Sequence, residues 1–319
     1  VKLKESDEVS EIIDSADFGT VFHRVMELFY TEGYTDIEEA KNICEKEFLD
    51  TINATHEDSK KLYNKVILSL LNNFLESTLK YDSTRNFEFA AAEKEILFTI
   101  DKLNFKGIID RIDIDREKKI INIIDYKTSK PQKQTKIEFQ HLFSNNSAGQ
   151  EVLQVLIYCK AVSESEEFCK ELGIDDPENY SIRPMIYKIY DIYNDDKKGE
   201  DIREQEITIT VSKNIESKMK DIFPNLGNDD ELQPSFINEE MPDTDVTCKI
   251  EDYKTWRYKN EFEFYLETIA KDIINNTHFE PPCKALRNCT FCPLISYSAH
   301  IYIFAVKNRK LKHFNVLIE

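Results

Sequence analysis

Residues 107–114 read Gly-Ile-Ile-Asp-Arg-Ile-Asp-Ile, and residues 120–128 read Ile-Ile-Asn-Ile-Ile-Asp-Tyr-Lys-Thr. Asp115, Arg116, Glu117, Lys118 and Lys119 lie between them. Two β-branched runs joined by a wholly charged link are the pattern of an antiparallel hairpin with its tip in water. Side chains alternate along a strand. On that parity Ile108, Asp110, Ile112 and Ile114 share one face, and Ile121, Ile123, Asp125 and Lys127 share a face of the next strand. Two carboxylates and an ammonium thus continue faces that are otherwise apolar. Unpaired charge there is costly, so these groups are expected to be paired or to hold a cation.

Outward from the hairpin, an Ile- and Phe-rich stretch completes a three-strand meander over about 91–100, 104–115 and 119–128. Upstream the chain reads helical. Phe22, Val25, Met26 and Phe29 form one apolar face within 18–30, with Asp17 as the expected N-cap. Further helices are expected at 37–52 and 57–81, the latter carrying Leu62, Val66, Leu70 and Leu71 at helical spacing. Downstream come a helix over 150–169, strands near 182–190 and 206–211, and a helix over 262–274 with Phe262, Tyr265, Leu266 and Ile269 on one face. The acidic, Asn-rich stretches 194–206 and 224–248 read as surface insertions. The expected class is α/β, a mixed central sheet flanked by helices with helical N-terminal and C-terminal elaborations. It is expected as one domain over 1–319, with a helical part (1–85), a catalytic α/β core (86–212), a helical, cysteine-bearing part (213–293) and a divergent tail (294–319).

Asp125 and Lys127, two apart, project to the same side of one strand, and Asp110 lies beside them if the hairpin is in register. Converging hard oxygen donors suit Mg²⁺ or Mn²⁺. The D-x-K spacing alone says little. Asp58 with Lys60, Asp195 with Lys197 and Asp196 with Lys198 also match it, and Asp-Tyr-Lys-Thr itself recurs at 252–255. The first copy differs in its package: Gly107, Asp110, a hairpin and an Ile-rich strand precede it. The plain alternative is a structural ion pair at a strand end. Arg111 and Asp113, on the opposite face from Asp110, are expected to be solvated or ion-paired.

Composition excludes several chemistries. The seven glycines are scattered, so no phosphate-binding loop, dinucleotide fingerprint or nucleophile elbow can be built from them. The six histidines form no H-E-x-x-H. Seven dispersed cysteines and no signal peptide point to a reducing cytoplasm. No apolar run has the length of a membrane span; the longest, Ile295 to Val306, contains His300. The opening VKLKESDEVSE, with no initiator Met, reads as the start of a fragment.

The Gly107–Asp113 and Ile123–Thr128 segments together resemble the core motif of RecB/AddB-type nucleases of the PD-(D/E)XK superfamily. Phe18-Gly-Thr-Val-Phe-His23 resembles that family's upstream helix motif, Gln154-Val-Leu-Ile-Tyr158 its Q-x-x-x-Y helix, and Cys289-Thr-Phe-Cys292 the cysteine pair of its iron–sulfur variety. The resemblance implies a restriction-endonuclease-like core and Mg²⁺- or Mn²⁺-dependent hydrolysis of DNA phosphodiesters, in a helicase–nuclease system for double-strand break repair. It assigns the metal to His23, Asp110, Asp125 and the carbonyl of Tyr126. Asp110, Asp125 and Lys127 form the catalytic set, with Lys127 serving the nucleophilic water. Gln154 and Tyr158 are assigned to the DNA strand, with Glu93 or Glu95 in support. The bland alternatives are a His23–Glu27 pair and an ordinary amphipathic edge for Gln154 and Tyr158. An iron–sulfur cluster needs four thiolates. Cys283 is the only further candidate near Cys289 and Cys292, because Ser298 stands where a cysteine is wanted. The resemblance allows a cluster in a full-length protein, and none is expected in this fragment. DNA and a helicase-like domain or subunit are the implied partners. A catalytically silent DNA-holding or scaffold domain is the alternative function.

The formal net charge is −18. Phosphate neutralisation supplies most non-specific DNA affinity, and only local basic groups within a Debye length of about 8 Å can offset long-range repulsion. Arg24, Lys127, Lys130 and Lys133 are the candidates near the motifs. Duplex binding measured by fluorescence anisotropy should therefore be weak at physiological salt and fall steeply as salt rises, and the purified chain should be colourless. Tight binding at that salt, or the broad visible absorbance of an iron–sulfur cluster, would contradict this reading.

Overall fold

The computed structural model describes residues 15–53, 61–128, 137–144, 146–195, 207–223, 244–275 and 315–317. The Ile-rich stretch is the centre of its larger sheet. Strands β1 (Glu88–Ile100), β2 (Leu103–Asp115) and β3 (Ile120–Lys127) run antiparallel in sequence order. The first link is only Asp101 and Lys102, since Ile100 pairs with Leu103; Asp101 has φ 54°, a left-handed conformation that Asp tolerates better than most residues. The second link is the charged Arg116–Lys119 segment, closed by pairing of Asp115 with Ile120. Strand β4 (Ile137–Glu138) belongs to a second sheet, whereas β5 (Ser181–Lys188) lies beside β3 in the first. The second sheet is mixed: β6 (Thr208–Val211) pairs parallel with β4 and antiparallel with β7 (Val246–Lys249). A short β8 (Asn315–Leu317) pairs antiparallel with Asn104–Lys106 of β2.

The helices are α1 (Ser15–Thr31), α2 (Ile37–Asn53), α3 (Lys61–Asp82), α4 (Ser147–Glu164), α5 (Glu166–Glu171), α6 (Ile189–Asp195), α7 (Ile215–Ile222) and α8 (Lys259–Asn275). Two compact units divide the chain. A sheet unit takes Phe87–Asp125, Gln132–Ile186 and Glu204–Glu319; a helical unit takes Val1–Asn86, Tyr126–Pro131 and Tyr187–Arg203. In the sheet unit α4 and α8 pack against β1. Residues Ile120 to Tyr126 of β3 are all buried, as in a strand covered on both faces. Each fully buried Ile there contributes about 2 kcal/mol. In the helical unit Phe18 of α1 meets Phe74 of α3 edge-on at 5.5 Å.

Several expectations shift. Helix α1 begins at Ser15, so Asp17 lies in its first turn, where a carboxylate favours the helix dipole, and is not the cap. Val66 is 58% exposed; the buried stripe of α3 runs later, through Leu71, Phe74, Leu75 and Leu79. The expected helix over 150–169 is two helices. Ser165 is extended there, ending α4 and capping α5 by accepting from the Phe168 N–H at 3.2 Å. Strand β5 stops at Lys188, where α6 takes over. Strand β7 occupies part of the stretch read as an insertion, with Thr247 and Thr210 hydroxyls 2.9 Å apart across the pair. Residues 196–206 and 224–243, and Cys283, Cys289 and Cys292, lie outside the described residues.

Arg111 and Asp113 are ion-paired, not solvated. They are 1% and 0% exposed, bonded at 2.7 Å (Nε–Oδ1) and 3.0 Å (NH2–Oδ2), with the guanidinium 4.7 Å from the Phe87 ring centroid. Removing one member strands a buried charge, whereas replacing both with apolar groups does not. Arg111→Ala should lower the unfolding free energy by about 3–5 kcal/mol, and Arg111→Met with Asp113→Leu should restore it to within about 1 kcal/mol. Chemical denaturation measures both; a single variant costing nothing would show that the pair is not a closed unit.

Candidate active site

The register of the meander carries Asp110 and Asp125 together. Pairing between β2 and β3 runs from Asp115 with Ile120 to Arg111 with Ile124, and continuing that register by one residue sets Asp110 opposite Asp125. Residues directly opposite on an antiparallel pair project to the same face. Asp125 is 1% exposed and Asp110 is half-buried.

On the other side of β2, Ala92 pairs with Arg111 and Lys94 with Ile109, which sets Glu93 opposite Asp110. Glu93 and Asp110 each offer a carboxylate oxygen within 4.8 Å of the other. Glu93 has φ 44° inside a strand, a conformation costing a non-glycine residue about 1–3 kcal/mol and typical of functional positions. Of the two candidate glutamates, it is Glu93 that stands beside Asp110. Glu95 is exposed and paired with Lys106 at 2.5 Å.

Beneath these carboxylates lies α4. Gln154 and Tyr158, one turn apart, are 6% and 0% exposed, and the Gln154 amide donates to the Tyr158 hydroxyl at 3.3 Å. Burial pushes the Tyr158 phenol well above its usual range, and the charges of Asp110 and Asp125 push it the same way; hydrogen bonds from Gln154 and the Ile108 backbone oppose them. Tyr158 thus senses both aspartates. At this depth Gln154 and Tyr158 back the carboxylates and do not line an open surface.

The remaining motif residues lie in the helical unit. Tyr126, next in sequence after Asp125, is 3% exposed, and its ring meets Phe22 and His23 of α1 edge-on, both at 5.5 Å between centroids. Gly19 explains its place in the α1 motif: a Cβ there would stand 3.3 Å from the Thr128 hydroxyl oxygen, tighter than an ordinary contact. Lys127 is half-buried at the end of β3. Arg24 is engaged by Glu27 at 2.6 Å and Glu47 at 3.9 Å, so little of its charge is available to a polyanion. Glu27, the alternative partner expected for His23, is engaged by Arg24. Lys130 and Lys133 lie outside the described residues.

The second Asp-Tyr-Lys-Thr is a turn. Asp252 accepts from the Ile182 N–H at 2.9 Å, the Lys254 N–H at 3.1 Å and the Thr255 hydroxyl at 3.2 Å, and Lys254 donates to the Pro177 carbonyl at 2.7 Å. Its carboxylate closes a loop onto β5.

Glu93, Asp110 and Asp125 thus form a row of oxygen donors across three adjacent strands, a set whose chemistry fits a divalent cation. No helix among the described residues is long and apolar enough to cross a membrane. A search of curated proteins finds no match. Residues 1–297 match the family described as the PD-(D/E)XK nuclease superfamily, whose members typically use divalent metals and share a restriction-endonuclease-like α/β fold. The meander, its aspartate pair and the Asp125-Tyr126-Lys127 run agree with that match, and the chain belongs to the PD-(D/E)XK nuclease superfamily.

Proposed function

We propose that this chain is a Mg²⁺- or Mn²⁺-dependent deoxyribonuclease domain of the RecB/AddB type, hydrolysing phosphodiester bonds in the cytoplasm beside a helicase-like domain or subunit in double-strand break repair. The observation that carries the reading is the register that sets Asp110 opposite Asp125, with Glu93 on the other flank of Asp110. Asp110, Asp125, His23 and the Tyr126 carbonyl would hold the cation, with Glu93 beside Asp110. When bound, the metal lowers the pKa of a water and stabilises the charge of an in-line displacement. Lys127 would orient that water, and its ammonium charge would favour the hydroxide left when the water's proton passes to solvent. Asp110 and Asp125 keep two negative charges fixed on one sheet face, so little reorganisation is needed when substrate arrives. Gln154 and Tyr158 act on the DNA strand through the carboxylates that they back. Cys283, Cys289 and Cys292 would supply three of the four thiolates that an iron–sulfur cluster needs.

Cleavage of labelled single- and double-stranded DNA tests this. Activity should need Mg²⁺ or Mn²⁺ and stop on chelation. Asp125→Ala and Lys127→Ala should each lose about a thousandfold or more in rate, equivalent to ~4 kcal/mol of barrier. Asp252→Ala and Lys254→Ala should keep wild-type rates while losing about 1 kcal/mol of stability from the broken turn. Equal losses from the second copy would sink the assignment, and DNA binding without any cleavage would favour the silent scaffold.

A further inference from the structure

The helical unit contains a buried hydrogen-bonded cluster that the proposed chemistry leaves unused. Asp82, the last residue of α3, is 3% exposed. It accepts from the Tyr30 hydroxyl of α1 at 2.6 Å and from the Tyr187 hydroxyl of β5 at 2.9 Å, one on each carboxylate oxygen. Arg85 also donates to the Tyr187 hydroxyl, stands 3.7 Å from Asp82 and places its guanidinium 5.6 Å from the Tyr187 ring centroid. The buried carboxylate is thereby both paired and hydrogen-bonded, as a buried charge must be.

What Asp82 holds is a ring. Tyr187 is 0% exposed, and its ring meets Tyr81 at 5.4 Å and Tyr126 at 5.7 Å, both edge-on. Tyr126 in turn meets His23 at 5.5 Å. Neighbouring side chains on a strand project to opposite faces, so the seat of the Tyr126 ring constrains the backbone that joins Asp125 to Lys127. The same ring bounds the His23 imidazole.

We propose that Asp82 and Tyr187 are positioning residues of the nuclease site: the carboxylate fixes the Tyr187 ring, and that ring fixes Tyr126 and so the Asp125-Tyr126-Lys127 run and His23. This rests on the function proposed above. Tyr30, whose ring packs on Phe29 at 5.2 Å, gives Asp82 the same kind of bond and is the natural comparison.

The test uses the purified chain with Tyr187→Phe, Asp82→Asn and Tyr30→Phe. It measures Mn²⁺ affinity by calorimetry, kcat and KM for DNA, and the ring resonances of His23 in metal-free protein, assigned with His23→Gln. Tyr187→Phe and Asp82→Asn should each weaken Mn²⁺ binding and lower kcat about ten- to a hundredfold, the usual effect of losing a group that orients ligands. KM for DNA should stay unchanged and the His23 resonances should move. Tyr30→Phe should lose comparable stability while keeping wild-type affinity, kcat and resonances. The proposal is overturned if Tyr187→Phe keeps wild-type affinity and resonances, or if Tyr30→Phe changes them as much. Should Asp82→Asn not fold, the two tyrosine variants decide. If the wild-type chain neither binds Mn²⁺ nor cleaves DNA, the nuclease reading fails. The positioning claim is then settled by whether Tyr187→Phe alone of the two tyrosine variants moves the His23 resonances.

Discussion

Two short links set the register of three strands, and the candidate chemistry depends on that register. With Ile100 opposite Leu103 and Asp115 opposite Ile120, Arg111 to Ile114 of β2 have partners on both sides and the rest of the strand continues that register. Glu93, Asp110 and Asp125 then fall in one row. A one-residue slip would turn a neighbouring strand's side chains to the other face of the sheet and exchange an acid for an apolar residue. The apolar positions of the same strands oppose such a slip, because Ile112, Ile114, Ile121 and Ile123 would lose the places in the core that they fill.

The sheet carries two sets of charges and treats them differently. Arg111 and Asp113 are buried and bonded to each other within the sheet unit. Asp110 and Asp125 stand on the opposite parity with Glu93 added, so acid is concentrated there. A divalent cation is the chemically suited partner for such a row. The left-handed backbone of Glu93 fits the same view, since strain of that kind persists where the surrounding structure over-determines it.

Much of this was legible in the residues themselves. The period-two pattern placed the meander and put Asp110 and Asp125 on matching faces, because burial of Ile and exposure of the Arg116–Lys119 link obey simple rules. The choice between Glu93 and Glu95 was not legible. Both have the same parity, and only the two-residue turn at Asp101–Lys102, which pairs residue 110 with residue 93, separates them. The Ser165 break was hidden because Phe168 and Cys169 continue the apolar content of α4 across it. The strand β7 was hidden because four residues, Val246 to Lys249, make a pattern too short to rise above an acidic loop. The twin Asp-Tyr-Lys-Thr segments show the converse: identical residues become a catalytic candidate on a buried strand and a turn closure at Asp252, and the flanking apolar run tells them apart. The Asp82 cluster had no sequence signature, since Tyr30, Asp82 and Tyr187 meet only through the fold.

The central claim is that one divalent cation sits on the carboxylate row. Crystals soaked in Mn²⁺ and measured for anomalous scattering test it most directly. The expected result is a single strong peak about 2.1–2.2 Å from carboxylate oxygens of both Asp110 and Asp125. A peak elsewhere, or Asp110 and Asp125 bonded to protein side chains with no ion between them at saturating Mn²⁺, would contradict it.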